Sequence, residues 1–255
     1  RLTQAPMASV STALAKVLAP HGVLRAGINL SNFLLVSSRG PNGEPQGVAP
    51  DMAGALAKQL GVPLELVPFN NPGLLADAAS NDEWDVGLIG AEAQRAETIA
   101  FTAPYVEIQA TFLVPPDSAI ERVADVDQPG KRIAVSARAA YDLWLTKNLQ
   151  HATLERTDEP GLPLSLKLYG EGRFDALAGL RPWLTTTALE AFPGSKVLDG
   201  QFTSVQQSIG SPRSRGDGGA SMFLERFVEE SKASGLVQKL IDKHDVTGKL
   251  SVAGE

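Results

Sequence analysis

The sequence predicts an α/β protein built as two lobes. Short apolar runs of strand type alternate with amphipathic helical runs, which implies mostly parallel sheets flanked by helices. The alternation occurs twice, in two series of similar size separated by Pro115-Pro116-Asp117. The composition suits a packed interior: 43% of the 255 residues are hydrophobic and 20% are charged, as in ordinary globular domains.

Residues 1–20 carry a loose helical pattern, with Val10, Leu14 and Val17 near helical spacing. Residues 22–29 read as a strand ending in polar residues, and 39–45 (RGPNGEP) as a turn. A helix is expected over 51–60, closed by Gly61. A strand at 64–69, a helix at 74–79 and a strand at 84–89 complete the first series. In the second series, strands are expected at 132–135 and 175–178, and helices at 141–149 and 164–169. A further strand starts at Val197-Leu198, and helices over 220–234 and 236–244 follow. No repeat or low-complexity tract stands out.

Composition narrows the function. A net charge of -6 argues against nucleic acid, which needs a basic face, and against docking on anionic lipid. The absence of cysteine excludes disulfides, thiol nucleophiles and thiolate metal sites. His21, His151 and His244 are far apart in sequence, so no metal site is expected. No apolar run reaches the ~18–20 residues that span a bilayer. The chain opens at Arg1 rather than Met, which reads as a mature form with its signal peptide removed.

In open α/β sheets, ligands sit beyond the carboxyl ends of strands. Asn29-Leu30-Ser31-Asn32-Phe33 follows the first strand, placing two amides and a hydroxyl beside an aromatic ring. That cluster fits either a small polar ligand or an Asx-type turn. Asn71 follows the second strand. Gly90-Ala91-Glu92-Ala93-Gln94-Arg95 follows the third; Arg95 suits a bidentate grip on a carboxylate, or a surface pair with Glu92 or Glu97. Ser136-Ala137-Arg138-Ala139-Ala140-Tyr141 opens a helix, whose N–H groups attract an anion, with Ser136 also a candidate cap. Gly179-Leu180-Arg181-Pro182-Trp183 follows the last strand end, with Trp183 either a ligand platform or loop packing.

Several stretches resemble the polar amino-acid-type solute-binding proteins of ABC importers (bacterial extracellular solute-binding proteins, family 3). The segment 47–61 (GVAPDMAGALAKQLG) is similar to their "GFDVDLAKALAKRLG". Trp84-Asp85-Val86 is similar to "FDV", and Arg95 with 99–105 (IAFTAPY) to "TPERAKxVDFSDPY". Residues 130–135 (GKRIAV) resemble "GKKVAV", and 172–176 (GRFDA) resemble "GRVDA". Order and spacing match from about Val23 to His244.

The resemblance implies a periplasmic-binding-protein fold of the Venus-flytrap type (type II). Two lobes are joined by two hinge crossings and close on the ligand. By analogy the crossings lie near 107–111 and 206–209. Lobe one then comprises 1–108 and 208–255, and lobe two 109–207. The expected role is capture of a carboxylate-bearing ligand, an amino acid or organic acid, with no cofactor and no chemistry. The expected setting is the periplasm, as a monomer that hands its ligand to ABC permease subunits.

Arg95 matches the arginine that clamps the ligand's carboxylate in that family. The chain also departs from the pattern. The 90–95 segment is two residues shorter, and the threonine before "PER" is Ala93. The "GT" helix start becomes Arg138-Ala139-Ala140, and Leu180 stands where an aspartate usually pairs with the ligand's ammonium. Losing that aspartate leaves a buried ammonium unpaired, which is costly. Arg138 or Arg181, facing the cleft, would favour a further anion, whereas Glu92 would serve as an ammonium partner. The resemblance also extends to cyclohexadienyl dehydratases on the same scaffold, which need a general acid; Glu92 is the first candidate and Glu107 the second. A ligand-sensing module is the third reading.

Overall fold

The computed structural model describes residues 11–254; Val10 of the N-terminal apolar pattern lies outside them. Helix α1 (Thr12–Leu18) is capped by Ser11 and buries Leu14 and Leu18. The first series runs β1 (Leu24–Asn29), the hairpin β2 (Ser38–Arg39) and β3 (Pro45–Gln46), α2 (Val48–Leu60), β4 (Leu64–Phe69), α3 (Pro72–Asp77), β5 (Val86–Gly90) and β6 (Ile99–Phe101). Strand β7 (Val106–Val114) leads to the second series: β8 (Arg132–Val135), α4 (Ala140–Asn148), β9 (Thr153–Arg156), α5 (Leu162–Glu171) and β10 (Ala176–Leu180). From β10 the chain passes through α6 (Arg181–Trp183), a π turn at Leu184–Ala188 and α7 (Leu189–Ala191) to β11 (Lys196–Val197). Strand β12 (Thr203–Pro212), α8 (Ala220–Ala233), α9 (Leu236–Lys243) and β13 (Ser251–Val252) follow.

The main sheet has the order β4-β1-β5-β12-β7-β10-β8-β9. β1 pairs in parallel with β4 and β5, and β8 with β9 and β10. Between these parallel halves, β12 and β7 pair antiparallel with each other and with their outer neighbours β5 and β10. The expectation of mostly parallel sheets therefore holds within each half. The antiparallel centre arises because β7 and β12 run in opposite directions between the halves.

Each half has its own core. Ile28, Met52 and Leu56 of the first series pack with Phe227 and Ile241, so α8 and α9 return to the first half although they follow the second in sequence. Phe112, Ile133, Tyr141 and Leu145 form a core of the second half. On the other face of the first half, Trp84 is fully buried beside Leu75 and Ile99, and its Nε1 donates to Leu75 O at 2.9 Å. A Cβ at Gly27 would come within 3.3 Å of both Leu75 and Trp84. Glycine there lets the indole lie against the sheet.

Several boundaries differ from the sequence reading for local reasons. α3 starts at Pro72 rather than 74, because Asn71 Oδ1 accepts from the Leu74 N–H at 2.9 Å and a proline sits in the first turn. β5 starts at Val86, since Trp84 turns into the cluster with Leu75 and Ile99 on the other face of the first half. The crossing strands extend past 107–111 and 206–209, because their ladder with each other continues into both halves. β9 and the helical stretch after β10 were not expected. β9 is an edge strand, TLER, with little apolar signal, and Pro182 in the first turn of α6 starts a helix where a loop was read.

At the amino ends of β1 and β5, fully buried Asp85 accepts from the Arg25 backbone N–H at 2.8 Å and from Arg25 Nη2 at 2.9 Å. Arg215 also pairs with it, joining the turn after β12 to the first half. Removing a buried carboxylate that two guanidinium groups share leaves them with exposed Asp82 as their remaining acid partner and empties a fully buried position between them. Asp85→Ala should therefore lower unfolding free energy by roughly 3 kcal/mol in urea denaturation. A loss under about 1 kcal/mol would show the network to be peripheral.

Candidate functional site

A cavity open to solvent lies where the carboxyl ends of β1, β4, β5 and β10 face the start of α4. Asn29, Asn32, Phe33, Asn71, Gly90 and Arg95 line it from the first half. Ala139, Ala140, Tyr141 and Leu180 line it from the second. Ten of the expected contacts thus meet in one place. Trp183, read either as platform or as packing, belongs to a buried cluster and also lines the cavity.

Three expected residues lie elsewhere. Arg138 turns its guanidinium away from the cavity to Asp77 in α3, donating through Nη1 at 3.0 Å and Nη2 at 2.7 Å. It does so because residue 138 has a left-handed backbone, φ 63°, which reverses the side chain's direction. Arg181 points to the crossing strands, where Nε donates to Gln109 Oε1 at 2.7 Å and Nη2 to Gly200 O. Glu92 lines a separate recess beside Trp144, Ser204 and Gln206, where burial raises its carboxyl above the usual range. Glu107 lies on β7 near Ser204 and Gln206. Neither candidate acid therefore lines the cavity with Arg95.

The sequence reading missed Asn70, Pro160, Gly161, Leu162, Val205 and Gln207, which also line the cavity. Gln207 and Val205 carry a signal in hindsight: they alternate along the expected crossing strand and so share one face. Pro160 and Gly161 sit in the loop before α5, where nothing local marks them.

Arg95 is the centre of the site. Its residue is only 5% exposed, in a short 3-10 turn after β5. Nη1 donates to Gly90 O at 2.8 Å and Nη2 to Arg138 O at 2.9 Å. Among the described residues it has no ion-pair partner. Burial lowers the guanidinium to about 10, against a smaller opposing pull from Glu92; it stays a cation at neutral pH. Around it the backbone is close. A Cβ at Gly90 would lie 3.2 Å from Ala140 Cβ and 3.3 Å from Arg95 Nη1, so glycine lets the start of α4 and the guanidinium come close there. No side chain caps α4, and its first N–H groups add positive potential beside Arg95.

Across the cleft, the Arg138 guanidinium packs on Gly73, where a Cβ would come within 2.7 Å of it. With its bond to Asp77 this ties α3 to the entry of α4. Among the described residues, no His, Asp and Glu cluster is placed to hold a metal ion, and no helix is long and apolar enough to cross a membrane.

The family model for bacterial extracellular solute-binding proteins, family 3, matches residues 25–246. The chain belongs to this family. The fold recurs in solved structures of low identity. The ancestral amino acid-binding protein AncCDT-1, a precursor of cyclohexadienyl dehydratase, is 24% identical, with a TM-score of 0.68 over 91% of this chain and 99% of that one. A mutant of ArgBP from T. maritima is 23% identical, with a TM-score of 0.68 over 92% and 99%. AbpA from Streptococcus pneumoniae, bound to L-arginine, is 19% identical, with a TM-score of 0.69 over 92% and 99%. These likenesses confirm the two-lobed α/β fold. No curated protein matches the chain in sequence.

The Arg138–Asp77 pair is about half exposed, with side-chain exposures of 43% and 59%, so it adds at most about 1 kcal/mol. The left-handed backbone at 138 costs a similar amount, roughly 1 kcal/mol, in any residue but glycine. Arg138→Gly should thus change unfolding free energy by less than about 1 kcal/mol, while Arg138→Val should cost roughly 2 kcal/mol by losing the pair and worsening the strain. Urea denaturation of the two variants checks the difference; equal losses would contradict it.

Proposed function

We propose that this protein is the extracytoplasmic solute-binding component of an ABC importer. It captures a small carboxylate-bearing ligand between two lobes and releases it unchanged to permease subunits. Residues 1–108 and 208–255 form lobe one and 109–207 lobe two, with β7 and β12 as the hinge crossings. On this reading it works in the periplasm as a monomer and needs no cofactor.

The observation that carries the reading is Arg95. A buried guanidinium without a counter-charge is expensive, and this one still has N–H groups to spare beyond its two carbonyl partners. It faces a cavity lined largely by apolar side chains, with the α4 N–H groups nearby. A ligand carboxylate placed there gains charge-assisted hydrogen bonds and neutralises the site. The separation of Glu92 and Glu107 from the cavity favours binding over the dehydratase alternative, since a general acid must reach the reacting group.

A thermal-shift screen of amino acids and organic acids tests this. At least one carboxylate should stabilise the protein, by about 2.7 kcal/mol at a hundredfold excess over Kd. Arg95→Ala should remove the effect while the variant stays folded. Unchanged stabilisation of Arg95→Ala would refute the role of the guanidinium.

The pH dependence follows from the same residue. A carboxylate binds the charged guanidinium, so affinity should be flat from about pH 6 to 9 and fall above about 10, where Arg95 loses its proton before binding. Calorimetric titration across that range would show it. A fall beginning near neutral pH would point to another group.

A further inference from the structure

We infer that the cavity selects a monocarboxylic acid whose second polar group is a hydrogen-bond acceptor, carried on an apolar or aromatic body, in preference to the α-amino acid of the same shape. The inference rests on the carboxylate reading of Arg95 and adds the ligand's remaining chemistry.

The first support is the direction of the hydrogen bonds. Four asparagines line the cavity, and in three of them, Asn29, Asn32 and Asn71, local N–H groups already occupy the carbonyl oxygen. Asn29 Oδ1 accepts from the Ser31 N–H at 3.0 Å and from Ser31 Oγ at 2.7 Å. Asn32 Oδ1 accepts from the Leu34 and Leu35 N–H groups at 3.2 and 3.3 Å. Asn71 Oδ1 accepts from the Leu74 N–H. A backbone N–H can only donate, so these bonds fix the amide orientation and leave Nδ2, a donor, as the free end in all three. Together with Arg95 and the start of α4, the cavity is rich in donors.

The second support is charge. Among the described residues that line the cavity, Arg95 is the sole charged side chain. The acids around it are engaged or turned away: Asp77 holds Arg138, Asp142 holds Arg156 and the Arg138 N–H, and Glu92 faces the other recess. Leu180 presents hydrocarbon. Acceptors with spare capacity, such as Gln207, Asn70 and the Ser31 hydroxyl, are neutral. A monoanion brings the buried charge to zero. A zwitterion leaves a net positive charge, with an ammonium close to a guanidinium in a medium that strengthens the repulsion. The L-arginine that AbpA holds would add a second cation. Phe33, Tyr141, Leu162, Leu180, Trp183 and Val205 supply the surface for an apolar body.

Matched pairs test the inference by calorimetry: phenylpyruvate and phenyllactate against phenylalanine, and pyruvate against alanine. The oxo or hydroxy acid should bind at least about 100-fold more tightly than its amino acid. Leu180→Asp, which supplies a counter-charge for an ammonium, should shrink or reverse that ratio, with circular dichroism as the control for folding. Should the variant not fold, the wild-type ratio decides alone. Equal or tighter binding of an amino acid by the wild type overturns the inference, as does a folded Leu180→Asp with an unchanged ratio. Silence of both members of every pair overturns this ligand class, while carboxylate capture itself stands or falls on the wider screen and Arg95→Ala.

Discussion

A buried guanidinium must find oxygen, and Arg95 finds it in two backbone carbonyls from opposite halves of the sheet. Gly90 O ends β5, and Arg138 O precedes α4. Everything at the cavity is arranged around that bridge. Glycine at 90 leaves room for Ala140 and for the guanidinium. The left-handed backbone at 138 turns its carbonyl to Arg95 and its side chain to Asp77. The result is a cation held in place by dipoles and left electrically unsatisfied, which under the proposed function a ligand carboxylate would complete.

The chain carries a net charge of -6, yet its acids are kept away from this cation. Asp82 and Asp85 are drawn to Arg25 and Arg215 at the opposite ends of the strands, where hydrogen bonds from Arg25 and then Arg215 hold Asp82 at about 2. Asp142, nearly buried, pairs with Arg156. The ion pairs thus do structural work at the strand starts and helix ends, while the strand ends present amides, N–H groups and hydrocarbon. Overall charge therefore says little about the ligand; the local distribution decides it.

The two β-α series, Gly61 as a helix stop and the strands at 64–69 and 132–135 were legible in the sequence, because each depends on neighbours within a few residues. So was the cluster at the strand ends: ten expected contacts line one cavity. The three that do not, Glu92, Arg138 and Arg181, share a cause. Each has a long side chain near the end of a strand, and its direction depends on tertiary surroundings: the acceptors Asp77 for residue 138 and Gln109 for residue 181, distant in sequence, and for Glu92 the recess beside Trp144. Gln207 and Gly161 escaped notice for the complementary reason. Their neighbours in the site are brought in by β12 and by the loop before α5, and no local pattern marks them.

The sequence by itself determined the fold class and the family and singled out the arginine at the centre of the candidate site, since periodicity, turn residues and motif spacing are local properties of the chain. The tertiary structure alone decided which cations are free and which are neutralised, and which end of each asparagine faces the cavity. Those depend on long-range pairs and on hydrogen-bond directions, which exist only once the two halves of the sheet have met.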